Sequence, residues 1–301
     1  MATITQTLAP TRSFDAIGSL RRIWLLARMT FREAVRKKMI WAVVFLTALF
    51  VAFYGWGVYR FKETWDARAA ARSFRFPITF NQAVDLNMAV AVFIIFFLAA
   101  VMGIFAAIGT IAGEVDGGTF QAILPKPIRR WEVVLGKWLG YALMLALYVG
   151  VTMAVVAAEV GAITGHIPAG TVKTTLIVIV ATWWLLSLTV LGSTIFATMA
   201  NGIVCYMFYA FGLAATIVES MGQLFQVRAM ENAGLVLSLV FPSQRIYNYA
   251  NYIIQPATNF AFGGNGGPSS TPPSGAIVPF AFGYLILLVI AACLVFRKKD
   301  L

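Results

Sequence analysis

The sequence predicts an all-α, polytopic membrane protein with six transmembrane helices. Three observations carry that expectation. Of 301 residues, 60% are hydrophobic and only 12% charged, whereas a soluble domain runs at about 25% charged. Mean hydropathy is +0.82, and a chain of this length in water could not cover that much apolar surface with its polar groups. The apolar residues also gather into six long runs, each able to cross a hydrocarbon core of ~30 Å at ~1.5 Å per residue. A soluble enzyme, a disordered chain and a disulfide scaffold are excluded together.

The net charge of +11 does not indicate nucleic acid. Its basic residues cluster at the ends of apolar runs, as membrane orientation demands, and no aromatic-rich basic groove suggests base stacking. Cys205 and Cys293 lie inside apolar runs and read as packing residues rather than a disulfide or metal pair. The single histidine, His166, cannot ligate a haem from two sides or build a His-rich zinc site. No metal site and no bound cofactor are expected in this chain.

Residues 1–17 lack the basic–apolar–small order of a cleaved signal peptide and read as a cytoplasmic tail. Residues 18–38 form a basic amphipathic helix. Leu20, Ile23, Trp24, Ala27, Phe31, Ala34 and Val35 share one side of the wheel; Arg21, Arg28, Arg32 and Arg36 gather on the other. Such a helix suits the membrane interface, with its arginines towards anionic headgroups. The alternative is a surface helix packed on a soluble partner, which the apolar span that follows at once disfavours.

The spans are expected at about 39–59, 86–112, 133–160, 174–199, 203–221 and 276–296. Between the fourth and fifth, Ala200-Asn201-Gly202 predicts a tight turn, with Asn-Gly supplying positive φ. With the N-terminus inside, the cytoplasmic parts carry 15 of the 23 Lys/Arg and 6 of the 12 Asp/Glu, a net +9 against +2 outside. That bias places both termini in the cytoplasm, although Arg60, Lys62, Arg68, Arg72 and Arg75 crowd the first external segment. That segment, 60–85, is long enough for a helix of its own. The last external segment, 222–275, starts with helix-compatible sequence; Ser243 is placed to cap a helix through Tyr252. Tyr247, Tyr249 and Tyr252 suit the headgroup level. The segment ends in GGNGGPSSTPPSG, a linker by composition.

The loop between the second and third spans, 113–132, is the most informative. Acidic residues and glycines leave the second span, a short apolar-faced helix follows over about Thr119 to Leu124, and Pro125 and Pro127 stop it. A basic turn leads to a helix beginning near Trp131, with Glu132 in its first turn, where the helix dipole favours an anion. A short rigid helix held between two spans can transmit force if a partner grips it. The alternative is a tight basic loop with no partner.

The pattern G-E-x-D-G-G-T-F-x-x-I-L-x-K-P-I-R-R over 113–130, followed by Gly136-Lys137, resembles the signature of the type-2 ABC exporter permeases. The basic helix before the first span (an elbow helix) and the terminus Phe296-Arg297-Lys298-Lys299-Asp300-Leu301 resemble that family too. The resemblance covers nearly the whole chain and is similar to permeases labelled for multicopper-enzyme maturation, a weak guide to substrate. It departs at 222–275, where a more compact pair of external helices is the family's pattern. It implies that Glu114, Asp116, Gly117, Gly118, Thr119 and Phe120 lead into a coupling helix docked on an ATPase subunit, with Pro127, Arg129 and Arg130 shaping its far side. It also implies a second permease subunit, in a homo- or heterodimer, and a multi-pass place in the plasma (inner) membrane of a prokaryote. ATP and Mg would be bound by the partner ATPase. This chain has no P-loop: Gly136-Lys137 is followed by Trp138 and the preceding glycine is missing. A non-catalytic membrane subunit follows.

No ionisable residue falls at a predicted midplane, which counts against an ion-coupled carrier. Glu159 and Glu219, at the external ends of the third and fifth spans, are either solvated at the interface or line the external mouth of a pathway. Gly109/Gly113 and Gly136/Gly140 are GxxxG pairs that permit close helix approach. Thr182, Ser187, Thr189, Ser193, Thr194 and Thr198 either bond neighbouring helices or face a path. The expected function is an exporter's permease subunit moving an unidentified substrate. The alternatives are an ATPase-coupled scaffold acting on an external partner through 222–275, and an ion-coupled transporter.

Overall fold

The computed structural model describes residues 16–70, 78–113, 129–254 and 274–298. Among these there are nine helices and no strand: α1 (Ala16–Arg36), α2 (Lys38–Ala70), α3 (Phe80–Ala107), α4 (Arg130–Thr164), α5 (Thr171–Ile195), α6 (Thr198–Phe225), α7 (Arg228–Val240), α8 (Pro242–Ile254) and α9 (Ile277–Lys298). Six of them, α2 to α6 and α9, are long and apolar enough to cross a membrane. They overlap the expected spans with ends shifted by up to six residues, as in Phe80–Ala107 against 86–112, and α2 runs on without a break to Ala70. The helix expected within 60–85 is therefore a continuation of the first span.

Local chemistry sets the ends. Thr79 and Gln82 form a reciprocal capping box at the start of α3, Thr79 Oγ1 accepting from the Gln82 N–H and Gln82 Oε1 from the Thr79 N–H at 2.8 Å. Gly165, with φ +74°, closes α4 in the left-handed conformation that costs glycine nothing. The α5–α6 corner corrects the Asn-Gly prediction. The chain turns at Phe196 and Ala197, both extended, and residues 200–202 already lie inside α6. Asn201 is fully buried: its side chain is wanted for a tertiary bond, described below, rather than for positive φ.

The six spans alternate in direction. One end of the layer, the α1 end, gathers α1, the start of α2, the end of α3, the start of α4, the α5–α6 corner and the end of α9. α3 and α5 sit in the middle, each 67% buried over its most apolar window, whereas α2 is 22% buried and lies at the edge. Phe96 and Trp184, fully enclosed, mark one core; Tyr141, Leu145 and Phe296 mark a second, nearer the α1 end.

Of the stretch expected outside the spans, the described residues 222–254 turn back among them. α7 runs antiparallel to α6: Gly222 abuts the Glu231 backbone, Gly234 abuts that of Glu219, and Phe241 meets Phe208 and Phe211 at 4.9 and 5.6 Å between ring centroids. The α7–α8 corner thus reaches the middle of α6. α8 then returns to the far end, where the Thr174 hydroxyl donates to the Ala250 carbonyl at 2.9 Å. Tyr247 is fully buried, stacked on Phe96 at 5.3 Å and edge-on to Phe93, not at headgroup level. Pro242 opens α8, and the buried Ser243 hydroxyl has no hydrogen-bond partner, so it is no cap.

Candidate functional site

The 114–128 loop, with Glu114, Asp116, Gly117, Gly118, Thr119, Phe120 and Pro127, lies outside the described residues. Both of its anchor points lie within them. The α3 end is the more elaborate. After Ala107 the helix gives way to turns over 108–111, which strips backbone groups of their helical partners, and side chains from four other parts of the chain take them up. Lys37, at the α1–α2 junction, donates through Nζ to the Ala106 carbonyl at 3.0 Å and to the Tyr141 hydroxyl at 3.2 Å. Lys137 of α4, buried, donates to the Thr110 carbonyl at 2.6 Å. Asn201 of α6 donates through Nδ2 to the Ile108 carbonyl at 2.8 Å and to Thr189 of α5 at 3.0 Å. The Ser193 hydroxyl of α5 accepts from the Ile111 and Ala112 N–H groups at 2.9 and 3.1 Å. Charge-assisted bonds from two lysines to carbonyls are strong members of their class.

The α4 end is anchored by a fully buried carboxylate. Glu132 accepts from both Nε and Nη2 of Arg22 at 3.0 Å, from the Ser19 hydroxyl at 2.7 Å and from the Arg129 N–H at 3.2 Å. The fork-on-fork geometry compensates its desolvation and fastens α1 to the first turn of α4. Arg130 reaches across to the Phe296 carbonyl at the end of α9, at 3.4 Å.

α1 can sit this close because of the glycines. A β-carbon at Gly136 would come within 2.6 Å of Leu26, and one at Gly140 within 2.6 Å of the Ala27 carbonyl oxygen. This GxxxG pair is a seat for α1 within the chain. The Gly109/Gly113 pair lies against Thr198 instead. The expected face of α1 divides accordingly. Ala27 and Ala34 are buried against the neighbouring helices, Leu20, Trp24 and Val35 are exposed and Phe31 is half-buried; Arg21, Arg28, Arg32 and Arg36 all point outward. Arg22, outside the predicted basic stripe, is the arginine that matters internally.

The two acids proposed for an external mouth are not brought together. Glu159 faces α2, its carboxylate occupying the space a side chain at Gly55 would need; its Oε2 and the nearby Tyr54 hydroxyl are buried without hydrogen-bond partners. Glu219 accepts from Arg245 Nη1 of α8 at 2.8 Å, and that nitrogen also donates to the Ser238 hydroxyl of α7 at 2.9 Å. It therefore ties α6, α7 and α8 together from a buried position. Of the fourth-span hydroxyls, Ser193 and Ser187 accept from outside their helix, Ser187 from Trp138 Nε1 at 2.8 Å; Thr182, Thr189 and Thr194 each donate to a carbonyl of their own helix, and Thr189 also meets the Cys205 thiol of α6.

Sequence reasoning passed over Arg22 and Lys37, read Asn201 as a turn residue, and left Ser193 between bonding a neighbouring helix and facing a path; Ser193 does the first. Only Ser193 lay inside an apolar run, where burial obliges a hydroxyl to find a partner; Arg22 and Lys37 sit in the basic 18–38 segment and Asn201 between two runs, so nothing local set them apart.

Six alternating apolar helices, with an N-terminal helix pinned beside the anchor points of the 114–128 segment, define a polytopic helical membrane protein. Comparison with known proteins agrees. The family model described as "ABC-2 family transporter protein" matches residues 24–301, and the chain belongs to that family. Two relatives are each described as "Probable ABC transporter permease protein NosY". That of Pseudomonas aeruginosa is 30% identical over 125 residues, 42% of this chain and 40% of the relative. That of Stutzerimonas stutzeri is 26% identical over 130 residues, 43% of this chain and 42% of the relative. The chain thus matches about two-fifths of the length of these curated relatives.

Proposed function

We propose that this chain is the permease subunit of an ATP-binding-cassette exporter. It moves its substrate out across the plasma membrane of a prokaryote, using ATP hydrolysed with Mg by a separate ATPase subunit. Both termini and the 114–128 loop face the cytoplasm, and a second permease subunit, identical or homologous, completes the pathway. The two-sided anchorage of the loop is the observation that supports this reading most. A loop that merely joined two spans would not need Glu132 to hold α1, or two lysines, an asparagine and a serine to hold 106–112. With both ends fastened, a push on the loop moves α1, α3 and α4 as one body, a rigid-body switch of the kind that couples closure of two ATPase subunits to a change of access.

The test is co-purification and coupled hydrolysis. Co-expressed with its ATPase in membrane vesicles, the chain is expected to retain that subunit and to stimulate its turnover. Glu114→Lys or Arg129→Glu should lower stimulation at least tenfold while leaving the permease folded. If no ATPase subunit is retained and neither substitution changes anything, the coupling model fails.

A further inference from the structure

We propose that a groove between α1, α2 and α4 is a binding site for one anionic phospholipid of the leaflet that α1 borders. The groove is concave and apolar, with a volume of about 590 Å³, within the range of built small-molecule sites. Its floor and walls include Ile40, Val44 and Ala48 of α2 and Met144, Leu147 and Val151 of α4. Along α2 it runs from Ile40 to Ala52, roughly 18 Å at 1.5 Å per residue. That is close to the depth of one leaflet's hydrocarbon, about half of a ~30 Å core. Length and lining fit an acyl chain lying parallel to the helices.

The wall offers nothing polar in need of a partner. Of its three hydroxyls, Thr47 and Tyr148 meet at 2.6 Å, the Thr47 hydrogen goes to the Val43 carbonyl at 2.8 Å, so Tyr148 donates to Thr47, and Thr152 donates to the Tyr148 carbonyl at 2.8 Å. A polar ligand would find no free group there; an alkyl chain needs none.

The mouth at the α1–α2 corner has the opposite character. Phe31, Val35 and Trp41 line it, and the Trp41 indole N–H donates to the Val35 carbonyl at 2.9 Å, which fixes the corner. Beside these, Arg32, Arg36 and Lys38 are exposed. The acid nearest in sequence, Glu33, is engaged by Lys37 at 3.7 Å. Three outward cations at one end of an apolar slot one leaflet deep complement a phosphate-bearing headgroup with its chain inserted. A flat apolar helix face would only be wetted by exchanging lipid. Here concavity and charge act on the same molecule.

The experiment is native mass spectrometry of the intact purified protein, with phosphatidylglycerol and phosphatidylcholine of equal chain length as probes. The wild type should retain phosphatidylglycerol in preference, at one per chain. Arg32→Gln, Arg36→Gln and Lys38→Gln should each lower its retention about fivefold and leave phosphatidylcholine unchanged. Ala48→Trp, or Val155→Trp at the far end, should lower retention of both lipids, with monodispersity and helicity confirming the fold. Arg21→Gln removes the same charge more than two turns away and should change little. The proposal is overturned if Arg21→Gln weakens phosphatidylglycerol as much as Arg36→Gln does, since the attraction would then be diffuse. It is equally overturned if both tryptophan variants retain lipid fully, or if they dissociate a dimer without altering lipid retention, because the groove would then belong to a second copy. Inorganic phosphate competing as well as the lipid would reduce the site to the basic corner and also sink it. None of these outcomes depends on an ATPase partner.

Discussion

The two ends of the molecule satisfy their buried polar groups differently. At the α1 end most such groups have a partner on another helix: Glu132 with Arg22 and Ser19, Lys37 and Lys137 with the carbonyls of 106–110, Asn201 with α3 and α5; the Thr110 hydroxyl is an exception. In the re-entrant hairpin and its surroundings, Glu219–Arg245–Ser238 is well made. Yet the Ser243 hydroxyl, the Tyr247 hydroxyl and both polar atoms of Asn251 are buried without partners. A satisfied network rigidifies what it joins, whereas an unsatisfied buried group raises the energy of the packed state. The α1 end is therefore built to move as one piece, and α8 is the part whose packing is cheapest to disturb.

Four expectations break or sharpen that contrast. The largest effect belongs to Glu132→Ala, which leaves the half-buried Arg22 without its counter-charge and frees α1. A loss of about 3 kcal/mol is expected, read as a lowered unfolding midpoint in detergent together with loss of any ATPase stimulation. An unchanged midpoint would mean that the α1 end is not held by this pair. Next, Gly140→Leu forces a side chain into the Ala27 backbone and should lift α1 at a cost of about 1–3 kcal/mol, visible as faster protease cleavage within 16–36. Lys137→Met leaves the Thr110 carbonyl unpaired and should cost about 1–3 kcal/mol; amide exchange over 106–112 should rise with it. The smallest change is at α8. Asn251→Leu replaces a fully buried amide that has no partner and should be neutral or stabilising by up to about 1 kcal/mol. Destabilisation there would show that Asn251 has a bonding role and would erase the difference between the ends.

Much of the fold was legible because a bilayer leaves few choices. A run such as 276–296 must be a helix, since backbone groups in hydrocarbon can be satisfied only within the segment, and α9 appears over Ile277–Lys298. The amphipathic α1 and the Gly136/Gly140 close approach were legible for similar reasons, periodicity in one case and the missing β-carbon in the other. The re-entry of α7 and α8 was not. Each is too short and too polar to register as a span, and what draws them inward is the close approach of α7 to Gly222 of α6, of Gly234 to the Glu219 backbone of α6, and of Tyr247 to Phe96 of α3. Asn201-Gly202 misled because the dipeptide that favours a turn can equally supply a buried amide beside a small residue.

By itself, the sequence determined that this protein is a six-span helical membrane protein with a basic N-terminal helix and a distinctive loop after the second span. Those properties follow from the composition and period of contiguous segments, which hydrocarbon tests one helix at a time. Only the tertiary structure decided that Arg22 rather than its exposed neighbours is the internal arginine, that Lys37, Lys137, Asn201 and Ser193 converge on the end of α3, and that 228–254 folds back among the spans. Those are bonds between residues 26 to 113 positions apart, and such a pairing exists only once the helices have packed and each buried polar group has been obliged to take the partner within reach.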